Sequence, residues 1–480
     1  MKCYKLLLTI LPALLILSGC SDTDSSTAKR KKLTKKEINY IVEFDKPVPS
    51  IPSGLRISTF DTDATPPPGT WLAYDSLLNT GDLGLRAKGL VILGAGEPIV
   101  ICCVDWLGIS NAGYDSFRRS LGNAAGTSPE RVSIHTVHQH DAPNCDFTVE
   151  KILLDAGVDP ACFEGTFHRE FIRKLSYVVR NSLEKSQPVT HIGTGRGIVD
   201  RVASNRRILG ENGKVIGTRW TTTKDPALRA LPEGLIDPEV SVVSLWNNDD
   251  PLAVLSFYAS HPQSYYRTGI ANPDFPGIAR FFRQLEVPDA LHIHFNGAGG
   301  NIGAGKYNDG AHENRLILAQ RLAEGMKLAW ESTVKEEITP ESVRWNYIPV
   351  SLPPAKHLLE LEKRMTEISD TLYSHSLASK LAWLERTRAG IKTDVSCLSA
   401  ENTRILFLPG ELFVEYQLTA RSMRKDLFVA MASYGEYGMG YIGTAAAYDE
   451  GGYETGDESF VDSGSETILM DAISRLLGNR

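Results

Sequence analysis

Several things are missing from this sequence. It has no Cys-x-x-Cys pair, no basic run within its body and no internal repeat. The first absence leaves no thiolate zinc ribbon and no thioredoxin-like redox centre. The second, with a formal net charge of -7, excludes a nucleic-acid partner. The third excludes a solenoid or propeller built from recurring sequence units. A glycine-rich stretch, Phe295 to Gly303, has neither the Lys-Ser/Thr of a P-loop nor a dinucleotide fingerprint. Its glycines are expected to bring backbone close to a metal or a substrate.

What is present begins with an export signal. Lys2 and Lys5 precede an apolar run from Leu6 to Leu17, too short to span a bilayer comfortably, and then Leu17-Ser-Gly-Cys20. That site resembles a bacterial lipobox, which implies lipidation of Cys20. A lipid-anchored protein of the bacterial cell envelope is therefore expected, in the outer membrane on its periplasmic or surface face. Residues 1–20 form the leader, the polar residues 21–50 a tether, and 51–480 the folded domain. Setting aside Cys3 and Cys20 leaves five cysteines. Cys145 and Cys162 bracket one loop and are the expected disulfide, while Cys102 and Cys103 lie in an apolar strand as core thiols.

The body alternates apolar β-rich runs with amphipathic helices, as in a single large α/β domain whose buried sheets are flanked by helices. Strands are predicted at Leu90–Leu93, Ile99–Val104, Ser241–Trp246, Ala253–Tyr258, Leu291–Phe295, Ile405–Leu408 and Leu427–Ala432. Helices are predicted over Phe167–Leu183, Asn314–Trp330, about Leu358–Leu384 and Glu466–Leu477. Ser128-Pro129-Glu130 looks like the start of another. A hydrophobic content of 42% and a charged content of 23% suit a soluble enzyme.

The chemistry concentrates at strand ends. Val132 to Cys145 holds three of the 11 histidines, at 135, 138 and 140. If the strand runs to His140, His138 and His140 share a face and His135 points elsewhere as a structural residue. His261 follows the run Ala253–Tyr258, and Glu411 follows a strand and a Pro-Gly turn. His138, His261 and Glu411 are a His-His-carboxylate set of the kind that holds a catalytic zinc. Asp274 is expected to order the loop after His261.

These motifs, in this order, resemble the neutral, non-lysosomal ceramidase family, zinc amidases that hydrolyse the N-acyl bond of ceramide. Val137-His-Gln-His-Asp-Ala-Pro143 is similar to the family's Thr-His-Thr-His-Ser-Gly-Pro, Ser260-His-Pro262 to its Val-His-Pro, and Leu408-Pro-Gly-Glu411 to the same four letters. Gly440-Tyr-Ile-Gly-Thr444 with Tyr453, and Asn205-Arg206, complete the resemblance. It implies zinc held by His138, His261, Glu411 and, more weakly, Tyr441. It also implies catalytic roles for His140, Arg206 and Tyr453, with Asn296 and Gly297 contacting substrate. The family's active-site serine is absent, Gly297 standing in its place, and no C-terminal β-sandwich follows the last helix. The expected activity is cleavage of an amide by metal-activated water, on a substrate that need not be ceramide. The alternatives are a zinc-dependent glycan hydrolase acting on an ester or glycosidic bond, and a non-catalytic binding lipoprotein.

Overall fold

Short apolar runs rich in β-branched residues become the strands of three large sheets, beside five two-stranded ones among the described residues, in a computed structural model, which describes residues 32–50, 52–367 and 374–478. The leader, Cys20 and the tether up to residue 31 lie outside the described residues. The first sheet orders its strands Val132–Thr136, Ile99–Val104, Arg86–Leu93, Arg56–Asp63 and Gln187–Pro188. The second runs Leu291–Asn296, Asp250–Tyr258, Glu239–Asn247, His191–Ile198 and Val334–Glu337. The third runs Val343–Val350, Thr393–Ala400, Thr403–Phe407 and Phe428–Ala432.

Although the sequence shows no repeat, one topology recurs in all three. Each sheet is antiparallel except for a single parallel pair at one edge, where Ile99–Val104, Asp250–Tyr258 or Thr403–Phe407 meets a later strand. A parallel pair needs a crossover, and a helix supplies it each time: Asn111–Ala125, Asp274–Glu286 and Val414–Met423. The inner faces of the sheets meet in one core. Ile101 and Cys103 come from the first sheet, Leu255 and Phe295 from the second, Ile405 and Phe407 from the third. The outer faces are covered by helices, with Phe117, Phe171 and Leu175 on the first sheet, Leu318 and Leu322 on the second, and Leu469 and Ile473 on the third.

Several expectations need correction. Folded structure starts before residue 51. Thr34 caps a short helix, Lys35–Ile38, and Val42 is buried with its N–H donating to Ser120 Oγ at 3.0 Å. The helix expected over about 358–384 is two helices, Lys356–Glu367 and His375–Arg388, the second capped by Ser374, with residues 368–373 outside the described set. Ser128-Pro129-Glu130 opens a single 3₁₀ turn, Pro129–Arg131, because the strand Val132–Thr136 begins at once. The five described cysteines are all free. Cys145 Sγ faces the helix Asn111–Ala125, close against Gly113, whereas Cys162 packs with Phe163, Val158 and Leu381. Among the described residues, no helix is long and apolar enough to cross a membrane.

Candidate active site

The three parallel pairs end near one another, and the loops leaving them carry the histidines and the carboxylate. The strand Val132–Thr136 stops earlier than the sequence suggests. His138 has a left-handed backbone (φ 72°), so strand alternation does not align it with His140. Its position is set instead by its N–H donating to Trp106 O at 2.9 Å and its Nδ1–H to Leu107 O at 2.7 Å. His135 remains in the strand and turns inward. Its ring lies 6.0 Å from Phe295 and 5.5 Å from Phe407, where the three sheets join, and its Nδ1 is 2.6 Å from Ser433 O.

His261 leaves the end of Asp250–Tyr258, with its N–H donating to Ile302 O at 3.1 Å. Asp274 begins the following helix and accepts from Ser264 N and Oγ, which orders that loop. Glu411 sits in a two-residue strand, Glu411–Leu412, paired in parallel with Tyr441–Ile442. Gly410 turns the chain into it with φ 64°, where a Cβ would meet Gly440 O at 2.9 Å. The glycine-rich turn lies behind this strand. A Cβ on Gly300 would stand 2.4 Å from Glu411 O, so the close approach is to the backbone that carries the carboxylate.

Three donor atoms converge. Glu411 Oε2 is 3.4 Å from His138 Nε2 and 3.6 Å from His261 Nδ1. His138 turns Nδ1 to the Leu107 carbonyl, which leaves Nε2 facing the carboxylate. Glu411 Oε2 and His261 Nδ1 are buried without any hydrogen-bond partner. Donors about 2.1 Å from a tetrahedral ion stand about 3.4 Å apart, so a divalent cation fits this set. One nitrogen each of His138, His140 and His261 also lie within 4.8 Å of one another. Those rings share two members with the carboxylate set. His261 faces both ways, its Nε2 being 3.0 Å from His140 Nε2. The bare oxygen and the tetrahedral spacing favour the set containing Glu411, with His140 placed behind His261.

Burial, then the neighbouring His138 and Arg206, hold His140 well below the usual imidazole range, and His261 is lowered for the same leading reason. Both rings are therefore neutral, as metal binding requires. Burial raises the Tyr441 hydroxyl well above its ordinary value, so it stays protonated. Arg206 Nη2 donates to Tyr441 Oη at 3.1 Å and to Gly300 O, and the hydroxyls of Tyr441 and Tyr453 are 3.5 Å apart.

A cavity of about 670 Å³ opens over this group, lined by His138, His140, Arg206, His261, Glu411, Tyr441 and Tyr453 among others. Asn296 and Gly297 do not line it. Asn296 is buried and bonded to Ser260 N and Val137 O, and Gly297 packs against Ala259 and Gln417, so both support the loops rather than face a substrate. Sequence reasoning missed Tyr437, whose hydroxyl donates to Glu411 Oε1 at 2.8 Å, and Gln263, whose amide lies 3.2 Å from His140 Nδ1. It also missed Tyr74, Trp220 and Tyr266, aromatic residues that line the cavity. Tyr437 lies in the tyrosine- and glycine-rich stretch 434–453, the one available signal.

No family model and no curated relative matches the sequence. Solved structures do. The fold is similar to that of neutral ceramidases. A ceramidase complexed with C2 superposes with a TM-score of 0.62 at 14% identity, over 89% of this chain and 76% of the other. A neutral ceramidase from Pseudomonas aeruginosa gives 0.62 at 15% identity, over 89% and 75%. At this identity the likeness is one of fold.

Proposed function

We propose that the protein is a metal-dependent hydrolase that cleaves an amide (N-acyl) bond, with zinc held by His138, His261 and Glu411 and, more weakly, Tyr441. The observation carrying this reading is the pair of buried, unpartnered donors, Glu411 Oε2 and His261 Nδ1, beside His138 Nε2 at the base of an open cavity. A divalent ion bound there supplies a Lewis acid and lowers the pKa of water from 15.7 towards about 7.

The chain's own groups do the rest. Arg206 carries a fixed positive charge beside two protonated tyrosines, and these groups can donate to an oxyanion growing on the substrate carbonyl. A well-placed donor of this type is worth roughly 3–4 kcal/mol. His140 is a neutral imidazole able to take a proton at its ring nitrogen and pass it to the leaving nitrogen, a contribution of roughly 10²–10⁴ in rate. No serine enters this scheme, so Gly297 does not obstruct it. The leader pattern ending at Cys20 supports export to the cell envelope.

Metal analysis together with an acyl-release assay tests the reading. The purified protein is expected to carry about one zinc, and His138→Ala to lose metal and activity together. Full metal content in that variant would remove His138 from the set, and no acid released from any N-acyl substrate would defeat the reading.

A further inference from the structure

The volume of the cavity does not select a substrate. About 670 Å³ lies in the middle of the range for small-molecule sites and would admit a lipid amide or an oligosaccharide. The chemistry of the wall does select. Among the described residues that line it, Leu107 is the single aliphatic side chain, and it is buried. The rest of the apolar surface is aromatic: Phe163 and Phe460, and two groups of rings that start at His140 and at Tyr441.

On one side Tyr74 lies flat against His140, with centroids 5.3 Å apart and planes at 6°, and Tyr266 meets Tyr74 edge-on at 5.0 Å. On the other, Tyr441 contacts Tyr453 at 5.7 Å, and Tyr453 contacts Trp220 at 4.8 Å. The outer rings are open to solvent, with Trp220 53%, Tyr74 39% and Tyr266 36% exposed. Thr222 and Ser376 add hydroxyls to the same wall. Asn144 Oδ1, also on the wall, is a buried acceptor without a partner.

We propose that this cavity takes a carbohydrate bearing an N-acylated amino sugar, which rests on the amide-hydrolase reading and names the substrate class of the same site. A sugar ring has an apolar C–H face that stacks on an aromatic ring and an edge of hydroxyls that bond to a polar wall. An alkyl chain laid along the same wall would strip water from Thr222 and Ser376 without replacing its hydrogen bonds. Hydrolysis adds water across the C–N bond, releasing a short carboxylic acid and leaving a free amine on the sugar.

The test is equilibrium binding to the metal-loaded protein by calorimetry. The probes are a panel of oligosaccharides carrying N-acetylated amino sugars, including N,N′-diacetylchitobiose, and N-hexanoylsphingosine in detergent. At least one oligosaccharide is expected to bind, and Trp220→Ala and Tyr266→Ala each to weaken it tenfold or more. Both side chains are partly solvent-exposed, so the variants should fold. The proposal is overturned if no sugar binds, if N-hexanoylsphingosine binds more tightly than every sugar, or if sugar binding ignores both substitutions. Acid release is scored separately. Cleavage of the sphingolipid alone would overturn the sugar and leave the hydrolase. Sugar binding without acid release from any amide would support the sugar and count against the hydrolase.

Discussion

Glu411 illustrates how little freedom a single side chain has here. One carboxylate oxygen accepts from Tyr437 at 2.8 Å, and the other lies 3.4 Å and 3.6 Å from two imidazole nitrogens. Partners that orient a ligating carboxylate typically contribute 10–100-fold to metal affinity. Tyr437→Phe is accordingly expected to weaken zinc binding by about that factor, read by competition with a chromophoric chelator, while the fold stays intact. Unchanged affinity would mean that Tyr437 does not hold the carboxylate. At this scale the sequence showed His138, His261 and Glu411 as residues at strand ends. It hid Tyr437 and Gln263, because a tyrosine or glutamine becomes a partner only when another loop arrives beside it.

At the scale of elements, two placements have measurable consequences. The turn at Gly300 is pressed against the short strand bearing Glu411, and any Cβ would meet Glu411 O at 2.4 Å. Gly300→Ala should push that strand aside, destabilising the protein by about 1–3 kcal/mol in urea titration and reducing metal content. An unaltered midpoint with full metal would show that the turn has room to move.

The second placement is on the helix Thr166–Ser182. His168 is buried there against Trp106, Nδ1 donating to Glu164 O and Nε2 without a partner. Burial lowers its pKa from 6.5 to about 4. A depressed pKa gives stability that is present above about pH 6.5 and lost as pH falls towards 4, by up to roughly 3 kcal/mol. His168→Phe should flatten that acid limb, seen by comparing denaturant midpoints at pH 7.5 and 4.5. An identical pH dependence in the variant would assign the limb to other groups. His135, lowered to about 4 by the same burial, contributes its own share and remains in the variant.

On the scale of the whole molecule, the donors come from all three sheets: His138 from the loop after the first, His261 from the second, Glu411 from the third. An ion held among them would tie the sheets together and bind only the folded state. At a free zinc concentration 1,000 times Kd such linkage is worth about 4 kcal/mol. Chelation should therefore lower the melting temperature and zinc should restore it, measured by calorimetry in both directions. A melting temperature indifferent to chelator and zinc alike would mean that no ion bridges the sheets.

The sequence by itself determined the main strands and helices, because their periodicity and turn residues are local properties of the chain. It also placed the candidate donors at strand ends, where a Pro or Gly follows an apolar run. Only the tertiary structure decided that one crossover topology recurs in three sheets with no sequence echo, since topology depends on pairing order and not on residue identity. Only it decided that His138 leaves its strand in a left-handed turn, that Asn296 and Gly297 support the site from behind, and that aromatic rings wall the cavity. Each of those facts is a contact between residues distant in the chain, and such contacts exist only once the three sheets have closed on their common core.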